Sequence, residues 1–225
     1  MNGFVTDGSV LVRYVGDEKS VTVPDGISRI EREAFCGCGQ IKSVTLPDSV
    51  KSIGESAFEE CGALRSVELG RGIEAIPKWA FQYCHSLYSI DIKDGIRAVC
   101  DNAFGECINL RSVTVGSTVT EISEQAFDRC ISLAEISVSE DNPSYRSVDG
   151  VLFTKDGERL IKYAVGSRKK EYTVPYGVTE IGERAFEGAA FLTDLTVSEL
   201  CEKVGAYALQ GCGALRRLTV RGRLL

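Results

Sequence analysis

The sequence predicts a right-handed α/β solenoid of about seven 23-residue coils, one domain with a parallel β-sheet along a face and β-hairpin modules at its start and between coils five and six. Three observations carry this. The pair Ala-Phe recurs in steps of 23 residues at Ala34-Phe35, Ala57-Phe58, Ala80-Phe81, Ala103-Phe104 and Ala126-Phe127, then returns at Ala185-Phe186 and as Ala208-Leu209. A fixed period in the twenties marks units that bury their apolar faces by stacking. The same core positions also follow each pair, in the second copy Cys61, Leu64, Val67, Leu69, Ile73 and Ile76. Finally, the spacing changes within one copy. Ala57, Phe58, Cys61 and Leu64 share a helical face, whereas Val67 and Leu69 share one face of a strand.

In chain order, residues 1–26 form an N-terminal hairpin and cap, 27–138 five repeats, 139–176 a hairpin insertion, and 177–225 two repeats and the C-terminal end. The two hairpins are copies: Phe4 to Tyr14 aligns without a gap on Phe153 to Tyr163, each with an Asp-Gly turn signal. The internal copy is longer and begins at Tyr145. Within each repeat a short helix is expected over the Ala-Phe segment, with Pro77 or Ser123 at its start and a left-handed Gly39, Gly62 or Gly213 at its end. The stretch leading up to the helix is expected to be irregular. Leu224 falls on the first core register of a further coil.

A formal charge of −6 excludes a general nucleic-acid binder, which shows a basic face. Arg216, Arg217, Arg221 and Arg223 crowd the last coil and read as solvated terminal charge. No apolar run approaches the ~20 residues that span a bilayer. No secretory leader precedes the repeats, so the chain as written is expected in the cytoplasm; a removed leader would place it at the cell surface or outside. Six of the nine cysteines, Cys38, Cys61, Cys84, Cys107, Cys130 and Cys212, share one core register and read as free buried thiols. Ala189 fills that slot in the sixth repeat, and Cys36 and Cys100 lie off the apolar pattern.

Chemistry-bearing constellations are scarce. His85 is the one histidine, and Cys36-Gly37-Cys38 has no second close pair to complete a metal site. No metal, cofactor or catalytic set is expected. The segment Leu64-Arg65-Ser66-Val67-Glu68-Leu69 fits L-x-x-L-x-L. The fuller unit I-x-x-I-x-x-x-A-F-x-x-C-x-x-L-x-x-V-x-L-P, read from Val50 to Leu69 and in Leu46-Pro47, resembles the BspA-like branch of the leucine-rich repeats. Asp149 to Phe153 and Lys155 to Gly157 are similar to elements of that family too. The resemblance implies a leucine-rich repeat horseshoe and a bacterial-type interaction protein, often adhesive and at the cell surface, with no catalytic residues.

The expected function is therefore a non-enzymatic, adhesin-like protein-binding scaffold. The alternatives are an intracellular scaffold fragment without adhesive role and a cysteine-dependent enzyme built on Cys36 or Cys100. The contact surface is expected in the third repeat, where Trp79, Tyr83 and Tyr88 replace the small or charged residues of the sibling coils. Glu68, Asp91, Glu135 and Asp194 on the outward strand face form a secondary surface for a positively charged partner. The solenoid ends offer a route to self-association.

Overall fold

The computed structural model describes residues 3–221; Met1, Asn2 and 222–225, with Arg223 and Leu224 among them, lie outside the described residues. The chain winds as a solenoid. Among the described residues its first ladder has nine rungs: Ser20–Thr22, Ser43–Thr45, Ser66–Glu68, Ser89–Ile92, Ser112–Val115, Glu135–Val138, Glu171–Thr173, Asp194–Ser198 and Arg217–Arg221. They pair in parallel and in register in three groups of three, for example Ser89, Ser112 and Glu135 side by side. The winding is thus about nine turns. The two extra rungs, Ser20–Thr22 and Glu171–Thr173, follow the two hairpins and precede the first coil of each array. Period-2 alternation buries Val44, Ile90, Val113, Ile136 and Leu195 beneath this ladder.

The stretch expected to be irregular is a second ladder. Its rungs are two residues long: Arg29–Ile30, Ser52–Ile53, Ala75–Ile76, Ala98–Val99 and Glu121–Ile122, then Glu180–Ile181 and Lys203–Val204. All but Lys203–Val204, which is exposed, contribute one buried residue, such as Ile30 or Ile76, from a strand too short to show alternation in sequence.

The Ala-Phe segment is not a helix, and the only helix among the described residues is the 3₁₀ turn Val165–Ser167. Its amides alternate instead. Ala34, Cys36 and Cys38 donate to carbonyls three residues back (Glu31, Glu33, Phe35), while Glu33, Phe35 and Gly37 donate to Glu55, Ala57 and Glu59 of the next coil. Left-handed residues produce the alternation. Glu33, Ser56, Trp79, Asn102, Arg184 and Tyr207 precede the Ala with φ between 52° and 59°, and Glu60, Tyr83, Glu106 and Arg129 precede the Cys with φ between 54° and 60°. Gly37, Gly188 and Gly211 take the latter position without steric cost. The expected left-handed residues Gly39, Gly62 and Gly213 lie two positions too late. A helix would return every amide to its own coil; in the stack half of them bind the neighbour.

The phenylalanines form a column, with Phe35, Phe58, Phe81, Phe104 and Phe127 at centroid separations of 4.7–5.6 Å and near-parallel planes. Tyr14 heads it, stacked 5.2 Å from Phe35 and donating its amide to Ala34, while Tyr163 does the same for Phe186 and Ala185. Each aligned hairpin therefore starts a phenylalanine column with its final tyrosine.

The insertion is a three-stranded antiparallel meander, Tyr145–Val148, Val151–Thr154 and Arg159–Lys162, rather than a single hairpin. Asp149 (φ 53°) and Gly150 (φ 81°) give the doubly left-handed two-residue turn that suits its first bend. Both faces of the meander are buried. Tyr145, Leu152 and Ile161 join the core of the first array, and Val151, Phe153 and Leu160 that of the second. Across the break, the Tyr145 hydroxyl accepts the Ile122 amide (2.8 Å) and donates to the Thr120 carbonyl, replacing a missing peptide group of the short ladder.

Candidate functional site

Every coil presents two kinds of edge. At the Ala-Phe turn, left-handed backbone projects side chains outward, and this edge carries Trp79 (37% exposed) and Tyr83 (36%). Their amides bind the Asp101 and Gly105 carbonyls of the next coil. Tyr83 sits between the Glu60 and Glu106 positions and meets His85 edge-on at 6.0 Å. Lys78, next to Trp79, pairs with Asp101 at 3.0 Å, and the Ser123 hydroxyl and Lys78 hold the Asp101 carboxyl below its ordinary range. Tyr88, 54% exposed, belongs to the other edge, where its amide binds the Arg65 carbonyl at the start of the long strands. Among the described residues no ring contact joins Trp79, Tyr83 and Tyr88. The structure brings Trp79 and Tyr83 to one edge and puts Tyr88 on another.

The four outward carboxylates fall into two rows. Asp91 lies beside Thr114 and Glu68 beside Thr45, whereas Glu135 lies beside Ser112 and Asp194 beside Arg217. Asp194 pairs with Arg217 at 3.2 Å, Glu135 accepts the Ser137 hydroxyl, and Glu68 has Lys93 at 3.8 Å.

The row that sequence reading passed over is basic. Lys19, Lys42, Arg65, Tyr88, Arg111 and Ala134 form one backbone ladder, each amide bound to the preceding carbonyl at 2.6–3.3 Å, and Lys170, Thr193 and Arg216 continue the pattern in the second array. The signal was the residue following each core Leu or Ile of the Cys-x-x-Leu segment. The turn edge is its opposite. There Glu106 pairs with Arg129 at 2.8 Å, Arg159 binds Glu124 and Glu180, and Arg184 binds Glu187 at 3.2 Å and Asp128 at 3.5 Å. Burial pushes the Asp128 carboxyl up to about 6 against the opposing pull of Lys162 and Arg184, because Lys162 Nζ stays 3.7 Å away.

The thiols of the ladder are structural. Cys61, Cys84, Cys107, Cys130 and Cys212 donate S–H to the Phe35, Phe58, Phe81, Phe104 and Phe186 carbonyls of the preceding coil at 3.1–3.3 Å. Ala189 needs no thiol, since the carbonyl it would serve, Tyr163, accepts the Val165 amide. Burial pushes Cys61 and Cys130 up to about 12, and all nine cysteines are unpaired. Cys36 is exposed and Cys100 half-buried, yet desolvation and neighbouring carboxylates raise both, the reverse of what activates a nucleophilic thiolate. No helix of the described residues is long and apolar enough to cross a membrane.

The family described as "BspA type Leucine rich repeat region" matches residues 14–134 and 165–224 in six copies. A search of curated proteins finds no match. Among solved structures, a leucine-rich repeat protein of Eubacterium ventriosum is similar with a TM-score of 0.74 at 20% identity, over 95% of this chain and 66% of that one. The leucine-rich repeat protein of T. pallidum has a TM-score of 0.62 at 27% identity, over 92% and 82%. A leucine rich cell surface protein of Faecalibacterium prausnitzii has 0.55 at 23%, over 96% and 76%. With its repeats matched on both sides of the meander, the chain belongs to the BspA-type leucine-rich repeat family.

Proposed function

We propose that this chain is a non-enzymatic, adhesin-like protein-binding scaffold whose primary contact is the aromatic edge of the third coil, Trp79 and Tyr83, with Tyr88 contributing from the strand-start edge. One observation carries the reading. Trp79 (φ 59°) and Tyr83 (φ 60°) hold large rings at left-handed positions where the siblings stack equally well with Ser56, Glu60 or glycine. A non-glycine residue in that conformation costs roughly 1–2 kcal/mol, so stacking gives no reason for a tyrosine there. Rigidly held aromatics lose little entropy on binding and supply interface anchors. The raised thiols of Cys36 and Cys100 support a binding role over cysteine chemistry.

The test replaces Trp79→Ser and Tyr83→Glu together, the residues of the second coil. Immobilised parent array is expected to retain a protein from cell-surface extracts that the variant releases, with the melting temperature of the variant within a few degrees. Full retention by the variant, or a large drop in its melting temperature, removes the site. Detection of the chain only inside cells removes the adhesive role while leaving the scaffold.

A further inference from the structure

The strand-start edge is indented. Two adjoining depressions open on it and share Arg111: one of about 410 Å³ is lined by Arg65, Ser86, Tyr88, Asn109 and Arg111, and the other, of about 600 Å³, includes Ile131, Gly166, Arg168 and Phe191. No carboxylate lines either one. The Arg111 guanidinium stands 5.5 Å over the Tyr88 ring and that of Arg168 5.3 Å over Phe191, so each fork rests on an aromatic face rather than on an acid. Among the described residues, Lys42, Arg65, Arg111, Arg168, Lys169 and Lys170 have no ion-pair partner. Of the acids next to the row, Glu135 is hydrogen-bonded to Ser137, Asp194 pairs with Arg217, and Glu171 follows Lys170. The floor between the cations is apolar, with Tyr88 and Ile131 each 54% exposed and Phe191 47%.

Spacing adds a constraint. Arg65 and Arg111 are two steps apart on the bonded ladder, and Arg168 lies beyond them, two residues after Gly166, whose amide binds the Leu133 carbonyl of the fifth coil. With strands about 4.8 Å apart, the backbones of Arg65 and Arg111 therefore stand about 9.6 Å apart along the solenoid axis. A polyproline II chain advances about 3.1 Å per residue with three residues per turn, placing every third side chain on one face at about 9.3 Å.

We infer that this trough binds an extended, polyproline II-like acidic segment of a partner protein, with Asp or Glu at every third position engaging Arg65, Arg111 and Arg168 and intervening prolines or apolar residues packing on Tyr88, Ile131 and Phe191. Aromatic-lined grooves suit this helix because it is preformed and has low entropy to lose. Arginine suits the carboxylates because its fork binds them bidentately. The aliphatic Ile131 between the rings favours a peptide, which has apolar side chains to pack there, over a densely charged sulfated polysaccharide. The inference rests on the scaffold reading only in taking the partner to be a protein, and it uses a different edge from Trp79 and Tyr83.

Three synthetic peptides of equal length and proline content test it against the intact chain: one with Asp at every third position, one with the same Asp residues clustered at an end, and one with Asn in their place. Heparin is the fourth probe. Fluorescence anisotropy is expected to show the spaced peptide binding about tenfold tighter than the clustered one, with weakening in salt, and Arg111→Ala lowering its affinity about tenfold. Lys51→Ala, on another edge, is expected to leave it unchanged. Equal affinity for spaced and clustered peptides, undiminished binding by Arg111→Ala, or heparin outcompeting the spaced peptide in wild type and Arg111→Ala alike overturns the inference. Since Arg111 is exposed, its removal is not expected to unfold the chain, and a melting curve of the variant confirms that the loss is local. Binding of the spaced peptide that survives Trp79→Ser with Tyr83→Glu keeps this result separate from the fate of the aromatic edge.

Discussion

The strand-start edge and the Ala-Phe turn edge are built by the same coils, read in the same register, and used in opposite ways. On the turn edge, carboxylates from one coil meet arginines and lysines from the next, as in Glu106 with Arg129 and Asp128 with Lys162 and Arg184. On the strand-start edge, like charges are stacked coil on coil from Lys19 to Arg65, with arginines resting on Tyr88 and Phe191. A ladder that sets identical positions one strand spacing apart imposes repulsion on any repeated charge. The turn edge relieves it internally. The other edge leaves its cations for an anion from outside, so charge there serves recognition and on the turn edge it serves stacking.

Removing a charge from each edge gives the largest contrast. Asp128→Ala leaves Lys162, 3% exposed, without its carboxylate, and chemical denaturation is expected to show a loss of about 3 kcal/mol. Arg111→Ala is expected to stay within about 0.5 kcal/mol of the parent. Comparable losses at both would show that the basic row is part of the stacking energy after all.

A smaller effect comes from pH. Asp128 titrates at about 6 in the folded chain, above the value of about 3.9 for a free aspartate, so the folded state holds its proton more tightly. This contribution is complete below the unfolded pKa and is lost as pH rises through the folded one. The stability of the parent relative to Asp128→Asn is therefore expected to increase as pH is lowered from about 7 to about 4. A flat difference would place the carboxyl in water.

A further small change is predicted to be a gain. Tyr83→Gly relieves a left-handed tyrosine at the position of Gly37, Gly188 and Gly211, and is expected to raise stability by up to about 1 kcal/mol. A fall in melting temperature would mean that the ring packs between coils, and the turn edge would then be wholly structural.

Several features were legible before any coordinates. The Ala-Phe column, the thiol register and the alignment of Phe4 to Tyr14 on Phe153 to Tyr163 all follow from identities at fixed spacing, and the tyrosine closing each copy indeed heads a ring column. The candidate site was legible only in part. Trp79, Tyr83 and Tyr88 stood out as departures from their siblings, but their grouping into one contact surface came from a shared repeat, and the fold puts Tyr88 on another edge. The basic row was visible one residue at a time, as Lys42, Arg65 and Arg111 after a core Leu or Ile, without its lack of acidic partners being visible.

The sequence by itself determined the period, the buried positions and the modules, because apolar side chains declare their face through spacing along a single strand of text. Only the tertiary structure decided where the amides of the Ala-Phe segment go, how the meander divides its two faces between two cores, and which charged rows are neutralised. Those outcomes depend on partners a full coil away, such as Ala57 for the Phe35 amide or Glu106 for Arg129, and such partners exist only once the coils are stacked. A turn whose amides alternate between its own coil and the next has the local spacing of a helix, and stacking alone tells the two apart.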